Sequence, residues 1–160
     1  MRTPIVLVLA VSTWALAACN PFHREPVTEV TPDANVNTRW RASLVTPASL
    51  GGAVQINGEA TMQPGRSSGD TEFSLKLANA TAGGIHPWQV RRGQCDADWG
   101  EIGTADTYKP IKVGDDGRGT ASAKVAMTTP TTGSYYVTVQ ASAANPETRV
   151  ACGNLAPPAR

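Results

Sequence analysis

The stretch GIHPWQVRRGQC, residues 84–95, decides the fold class of this chain. Within it, the apolar residues Trp88 and Val90 alternate with the polar residues Gln89 and Arg91. Successive side chains of a β-strand point to opposite faces, so a period of two is typical of a half-buried strand. We therefore predict that Trp88 and Val90 face a core, while Gln89 and Arg91 share the opposite face.

The same alternation recurs on both sides of this stretch. Apolar residues occupy every second position over residues 40–44, 54–60, 73–77, 121–127 and 137–141. Turn sequences separate these runs, and Asp116-Gly117 predicts a hairpin whose two central residues both have positive φ. No segment predicts a long helix. Seven or eight short antiparallel strands with this spacing predict an all-β domain, either a β-sandwich or a flattened Greek-key barrel.

The N-terminal part of the chain has a different composition. Residues 1–18 begin with the basic Arg2, continue with an apolar run from Ile5 to Leu16 and end with small residues, as a secretory signal peptide does. A helix needs about 20 apolar residues to span a bilayer, so this shorter run predicts a cleaved signal peptide. Residues 19–37 contain three prolines and mixed charges, which predicts a flexible tether. Residues 38–160 then form the predicted β-domain.

The end of the signal, Leu16-Ala17-Ala18-Cys19, resembles a bacterial lipobox. The resemblance implies that Cys19 carries diacylglycerol on its sulfur and an acyl chain such as palmitate on its freed amine. Such a lipoprotein is anchored in the membrane by its N-terminal lipid. In such lipoproteins an aspartate after the lipidated cysteine favours the inner membrane. This chain has Asn20 there, so the resemblance implies that the protein is anchored in the outer membrane of a bacterial cell envelope and faces the periplasm. An ordinary signal peptide with a chance cysteine is the alternative.

Cys95 and Cys152 remain once Cys19 is assigned to lipid. The periplasm is oxidising enough to form disulfides, so we expect these two cysteines to pair. Two reduced, buried thiols are the alternative.

The charge of the chain excludes one class of partner. Its formal net charge is +1, and removal of the signal with Arg2 leaves it neutral. Domains that bind nucleic acid usually carry a basic patch and an excess of positive charge. We therefore expect no nucleic-acid partner.

Three motifs resemble the copper/zinc superoxide dismutase family, between about Trp40 and Leu155. The run GAVQING, residues 52–58, is similar to the first strands of that family. The family's His-Gly-Phe-His-Val-His strand, followed by a loop cysteine, corresponds to HPWQVR, residues 86–91, followed by Cys95. Ala151-Cys152-Gly153 resembles the end of the family's internal disulfide, and Arg149 matches the arginine that guides the anionic substrate. The resemblance implies a superoxide-dismutase-like Greek-key β-sandwich.

The metal ligands of that family are replaced in this chain. Two copper histidines correspond to Gln89 and Arg91, and the third corresponds to Gln140. His86 corresponds to a structural histidine. The loop over residues 96–108, where the family places its zinc ligands, contains the carboxylates Asp96, Asp98, Glu101 and Asp106 but no histidine.

Residue counts support the same reading. The family's site uses six histidines and an aspartate, whereas this chain has two histidines, His23 in the tether and His86. Amides are poor ligands for transition metals, and a guanidinium stays protonated and repels a cation. The sequence therefore predicts a lost metal site, with no metal, no cofactor and no catalytic residue.

Three functions follow from this resemblance. The first is a non-catalytic binding or structural module of the envelope. The second is a diverged metalloenzyme of superoxide metabolism with an unrecognised ligand set. The third is a docking module for an envelope protein, for which Trp99 is the candidate contact residue. The sequence leans against an enzyme and does not indicate an oligomeric state.

Arg91, Arg92 and Arg149 are a further candidate site. If the resemblance holds, these arginines lie near one another and form a small anion-binding patch. The alternative is that they hydrogen-bond loop carbonyls or face water, as surface arginines commonly do.

Overall fold

A computed structural model describes residues 38–52 and 55–158, and these residues form ten strands and two short 3-10 helices. The strands are β1 (Trp40–Val45), β2 (Asn57–Pro64), β3 (Thr71–Ala78), β4 (Ile85–His86), β5 (Trp88–Gln94), β6 (Ala97–Glu101), β7 (Ile111–Val113), β8 (Gly119–Val125), β9 (Tyr135–Ser142) and β10 (Asn145–Leu155). The 3-10 helices cover Ala48–Leu50 and Ala105–Thr107. The predicted all-β class is confirmed.

The strands form one antiparallel sheet that curls into a half-barrel. Their order is β4-β7-β8-β3-β2-β1-β10-β9-β5-β6. Only Pro87 separates β4 from β5 along the chain, yet the two strands lie near opposite ends of the sheet order. Proline has no N–H to donate to a sheet, so it suits the point where the chain leaves one pairing partner for another.

The predicted number of strands, seven or eight, is wrong. Three short strands, β4, β6 and β7, lie in segments whose sequence shows too few alternations to predict a strand. Residues Ala97–Glu101 are the clearest case, because the resemblance implied a loop there. They are mostly exposed and pair with β5 alone, so they lack the alternating apolar residues of a half-buried strand.

The core lies on the concave face of the sheet, and the alternation found in the sequence positions its residues. Trp40, Phe73, Trp88 and Val90 are each 1% exposed. In β5 the intervening residues Gln89 and Arg91 are only partly buried and lie on the other face, as predicted.

The Asp116-Gly117 hairpin joins β7 to β8, and Val113 pairs with Gly119. Only Gly117 has a positive φ, at 72°, so the predicted turn geometry is wrong in detail. The Gly117 N–H donates to the Gly114 carbonyl at 3.1 Å, and the Arg118 N–H donates to Asp116 Oδ1 at 3.1 Å. Asp116 thus has the turn-forming role that aspartate commonly has.

The predicted signal peptide (1–18) and tether (19–37), with Cys19 and His23, lie outside the described residues. No helix in the described part of the chain has the length and apolar character needed to cross a membrane.

Candidate functional site

A polar cavity of about 450 Å³ opens on the side of the sheet opposite the core. Strands β5, β6, β9 and β10 contribute most of its wall. The lining residues are Pro87, Gln89, Arg91, Asp98, Glu101, Tyr136, Thr138, Gln140, Pro146, Glu147 and Arg149.

Pairing between β5 and β9 determines which side chains meet in this cavity. Gln89 lies opposite Thr138, and Arg91 lies opposite Tyr136. Gln140 follows two residues after Thr138 on the same strand, and its N–H donates to the Pro87 carbonyl at 2.9 Å. Alternate residues of a strand share a face, so Gln89, Arg91 and Gln140 all line the cavity.

Arg91 is the centre of a hydrogen-bonded cluster in the cavity. Its Nε and Nη2 donate to the two oxygens of Asp98 at 3.0 and 2.6 Å. Its Nη1 donates to Glu101 Oε1 at 3.0 Å and to Gln89 Oε1 at 2.9 Å. The planar guanidinium suits this forked geometry, which is the strongest form of an arginine–carboxylate pair. Two carboxylates thus more than balance the charge of a guanidinium that is 19% exposed.

The cluster changes the acidity of its members. The hydrogen bond from Arg91, supported by the Gly100 N–H, lowers the pKa of Asp98 from 3.8 to about 2. The hydrogen bond to Asp98 raises the pKa of Arg91. Burial of the Tyr136 phenol, with the nearby charge of Asp98, raises its pKa. At neutral pH Asp98 is therefore a carboxylate and Tyr136 a neutral phenol.

On the cavity wall, Oε1 of Gln140 is buried and has no hydrogen-bond partner among the described residues. The buried Tyr136 hydroxyl faces Asp98, and a hydrogen bond between them contributes to the pKa shifts of both groups. Buried polar groups are nearly always hydrogen-bonded, so unpartnered ones beside a cavity indicate a place where a ligand or a shift of side chains supplies a donor.

Cys95 and Cys152 form a disulfide, as predicted, and it fixes one end of this wall. Arg149 Nη1 donates to the Cys95 carbonyl, and the Cys95 N–H donates to Asn154 Oδ1 at 2.9 Å. The Arg149 guanidinium also lies 5.7 Å from the centre of the Tyr136 ring, within the range of a cation–π contact.

The three arginines of the predicted anion patch are not equivalent. Arg91 and Arg149 line the cavity, whereas Arg92 is exposed and does not. Arg92 follows Arg91 directly, so it points to the other face of β5. The charge of Arg91 is already matched by carboxylates, which leaves Arg149 as the cavity's unpaired cation among the described residues.

The other predicted residues have clear positions. His86 is 7% exposed, and its Nδ1 lies 3.0 Å from the Gln140 carbonyl, which fits a structural role. Asp96 and Asp106 lie outside this cavity. Trp99 is 65% exposed on β6.

The donor set does not fit copper or zinc. At Gln89, Arg91 and Gln140 the cavity presents two amides and a guanidinium cation. Asp98 and Glu101 are bound to that guanidinium. In residues 38–52 and 55–158, no group of three or more His, Cys, Asp or Glu side chains is arranged to hold a metal.

Sequence reasoning missed Tyr136 and Glu147 as cavity residues. The alternation of residues along β9 places Tyr136 and Gln140 on one face, so the sequence pattern could have predicted Tyr136 as a cavity residue. Glu147 lies in a β-bulge region of β10, between the paired residues Asn145 and Arg149, where the alternation is interrupted, so no sequence pattern would have placed it.

Comparison with protein-family models finds no match for this chain, and comparison with curated proteins finds none either. The family resemblance therefore rests on the sequence motifs described above.

Proposed function

We propose that this protein is a non-catalytic, metal-free, superoxide-dismutase-like module of the bacterial cell envelope, anchored by lipid on Cys19, that acts by binding or structural support. One observation carries the proposal. At the positions that correspond to copper ligands, the Arg91 guanidinium is held by Asp98, Glu101 and Gln89 and supplies the cavity with its own cation.

The strand order supports the Greek-key part of this proposal. Strand β3 pairs with β8, β1 pairs with β10, and β5 pairs with β9, so neighbours in the sheet are distant in the chain. A Greek key has this mixture of hairpins and long connections. The Cys95–Cys152 disulfide and the adjacent Arg149 also agree with the motifs of the resemblance.

The chemistry of the cavity argues against dismutation. Superoxide dismutation needs a group that accepts and then returns one electron, and amides and guanidinium groups do neither. A metal bound here would have to displace Arg91 from two carboxylates and would then lie beside its charge. A fold alone does not confer the activity of its relatives.

Metal uptake and activity test the proposal together. Protein purified from its native envelope is offered copper and zinc, desalted and measured by elemental analysis and by superoxide consumption before and after chelation. We expect far less than one equivalent of either metal and no superoxide consumption above buffer. One equivalent of tightly bound copper, or activity that a chelator removes, would contradict the proposal and favour the diverged metalloenzyme.

Trp99 favours a second candidate, a docking module for an envelope protein. It is a large, exposed aromatic residue on β6, which is the last strand in the sheet order. Edge strands expose backbone groups that can pair with another chain, and tryptophan is enriched in the energetic centres of interfaces. Site-specific crosslinking at position 99 in intact envelopes tests this candidate, which is rejected if no recurrent partner is recovered.

A further inference from the structure

We propose that the polar cavity binds a small α-amino acid, whose ammonium group pairs with Glu147 and whose carboxylate pairs with Arg149. This inference rests on the proposed binding function and names the ligand class of the same site. It follows from the charges that the cavity leaves unpaired.

The ionised side chains of the cavity fall into two groups. Arg91, Asp98 and Glu101 satisfy one another through two ion pairs. Glu147 and Arg149 line the same cavity, and neither forms an ion pair within the described part of the chain. One free negative and one free positive charge therefore face a shared space.

Strand β10 carries both charges. Glu147 and Arg149 are two residues apart in its β-bulge region, and both side chains line the cavity. Arg149 is also held in orientation, because its Nη1 donates to the Cys95 carbonyl and its guanidinium lies over the Tyr136 ring. A guanidinium has five N–H donors, so this contact leaves donors for a ligand.

A ligand with both charges fits this arrangement better than a simple ion. A carboxylate accepts forked hydrogen bonds from a guanidinium, and an ammonium donates up to three to carboxylate oxygens. A simple anion would leave Glu147 unmatched beside it, and a simple cation would leave Arg149 unmatched. In an α-amino acid one carbon joins the ammonium and carboxylate groups. The ligand is therefore short enough to lie between Glu147 and Arg149, which are two residues apart on a strand.

The remaining walls limit the rest of the ligand. Pro87 and Pro146 are apolar, while Gln140 Oε1 is a buried oxygen without a hydrogen-bond partner among the described residues. A side chain with a hydroxyl or amide donor would satisfy an acceptor that an aliphatic one cannot. A volume of about 450 Å³ is within the usual range of small-molecule sites.

Calorimetric titration of the full-length protein with L-serine at low ionic strength tests the inference. N-acetylserine lacks the ammonium charge, and serinamide lacks the carboxylate. We expect serine to bind and each blocked analogue to bind about tenfold to a hundredfold more weakly, as expected for loss of one charged hydrogen-bonded contact. No binding of serine, or equal binding of serine and N-acetylserine, would overturn the inference.

Variants separate the two contacts. Glu147→Gln should weaken serine binding by about tenfold or more, whereas the binding of the anion N-acetylserine should not weaken, because the variant removes a negative charge beside it. Glu59→Gln, an exposed residue that lines a different cavity, is the matched control and should bind serine normally. Arg149→Gln should weaken serine but not serinamide. If Arg149→Gln does not fold because the contact with Cys95 is lost, Glu147→Gln alone tests the inference, since Glu147 is exposed and forms no ion pair among the described residues. Unchanged serine binding by Glu147→Gln would overturn the inference.

Copper uptake measured on the same preparation distinguishes this inference from the proposed function. Protein that takes up no copper and binds no serine would overturn only the amino-acid inference. Protein that binds an equivalent of copper would contradict the metal-free function, whatever serine does.

Discussion

Arg91 and Asp98 form a two-point ion pair across neighbouring strands, with Nε–Oδ1 and Nη2–Oδ2 distances of 3.0 and 2.6 Å. The pair joins β5 to the edge strand β6, and Glu101 adds a second carboxylate to the same guanidinium. The cluster therefore has two roles, since it attaches an exposed strand to the sheet and occupies the cavity with a guanidinium whose charge two carboxylates match.

Asp98→Asn should destabilise the protein modestly at neutral pH. Asp98 is 42% exposed, so solvent screens the pair, and we expect the free energy of unfolding to fall by up to about 1 kcal/mol. Because folding lowers the pKa of Asp98 from 3.8 to about 2, its contribution is complete above pH 3.8 and disappears as the pH falls toward 2. Urea unfolding of both proteins across this pH range should show stabilities that converge in acid.

The control for this experiment is Asp115→Asn, because Asp115 is exposed and forms no ion pair in the described residues. Its unfolding curve should match that of the wild type at every pH. A constant difference between Asp98→Asn and wild type down to pH 2 would contradict the assignment of the low pKa.

Three substitutions should create a copper site in this cavity. Gln89→His, Arg91→His and Gln140→His together place three imidazoles on one cavity wall and remove the repelling charge. We expect this triple variant to bind one equivalent of Cu(II), with a visible d–d absorption band that the wild type does not show.

The matched control is the triple variant Gln89→His, Arg92→His and Gln140→His, in which Arg92 is replaced instead of Arg91. Arg92 lies outside the cavity, so this triple variant retains the guanidinium and places one imidazole elsewhere. Equal copper binding by the two triple variants would show that these positions do not converge as described.

Removal of the disulfide should reduce stability without changing the cavity's charges. Cys95 and Cys152 are 57 residues apart, and closing a loop of this length contributes about 4 kcal/mol in the chain-entropy model. The double variant Cys95→Ser, Cys152→Ser should lose about 2 to 4 kcal/mol in urea unfolding. Mass spectrometry under non-reducing conditions should find the bond in wild-type protein; two free thiols there would contradict the structure.

Gly93→Ala should disrupt the junction between β5 and β6. Gly93 has a φ of 106°, and a Cβ atom there would overlap the Ala97 carbonyl oxygen. Gly69→Ala is the matched control, since Gly69 has a φ of 89° but open space around its Cβ position. We expect about 1 kcal/mol of destabilisation for Gly69→Ala and about 2 kcal/mol more for Gly93→Ala, measured by thermal or urea unfolding.

The two glycine variants also differ in their expected effect on the cavity. Gly93 precedes the strand that carries Asp98 and Glu101, so its substitution should shift the signals of the Arg91 guanidinium in NMR spectra. Gly69→Ala should leave those signals unchanged. Equal losses of stability in the two variants would mean that the close approach to Ala97 does not constrain the chain.

Local patterns predicted much of the fold. Alternation in residues 84–95 placed Trp88 and Val90 in the core and Gln89 and Arg91 together on the outer face, because the period of a strand is a property of the local backbone. The strands β4 and β7 escaped prediction because they are only two and three residues long, and β6 because it is mostly exposed and is defined by its pairing with β5. The hairpin at Asp116-Gly117 was predicted, but its turn geometry was not.

The sequence by itself determined the all-β class and the shared face of Gln89 and Arg91, since both depend on spacing along the chain. It predicted the pairing of Cys95 with Cys152 but left two reduced thiols as the alternative, and the structure shows the bond. Only the tertiary structure decided that Asp98 and Glu101 bind Arg91, and that Glu147 and Arg149 form no ion pair within the described part of the chain. Ion pairs of this kind depend on distances of a few ångströms between side chains on different strands, and strand registers, bulges and side-chain conformations fix those distances.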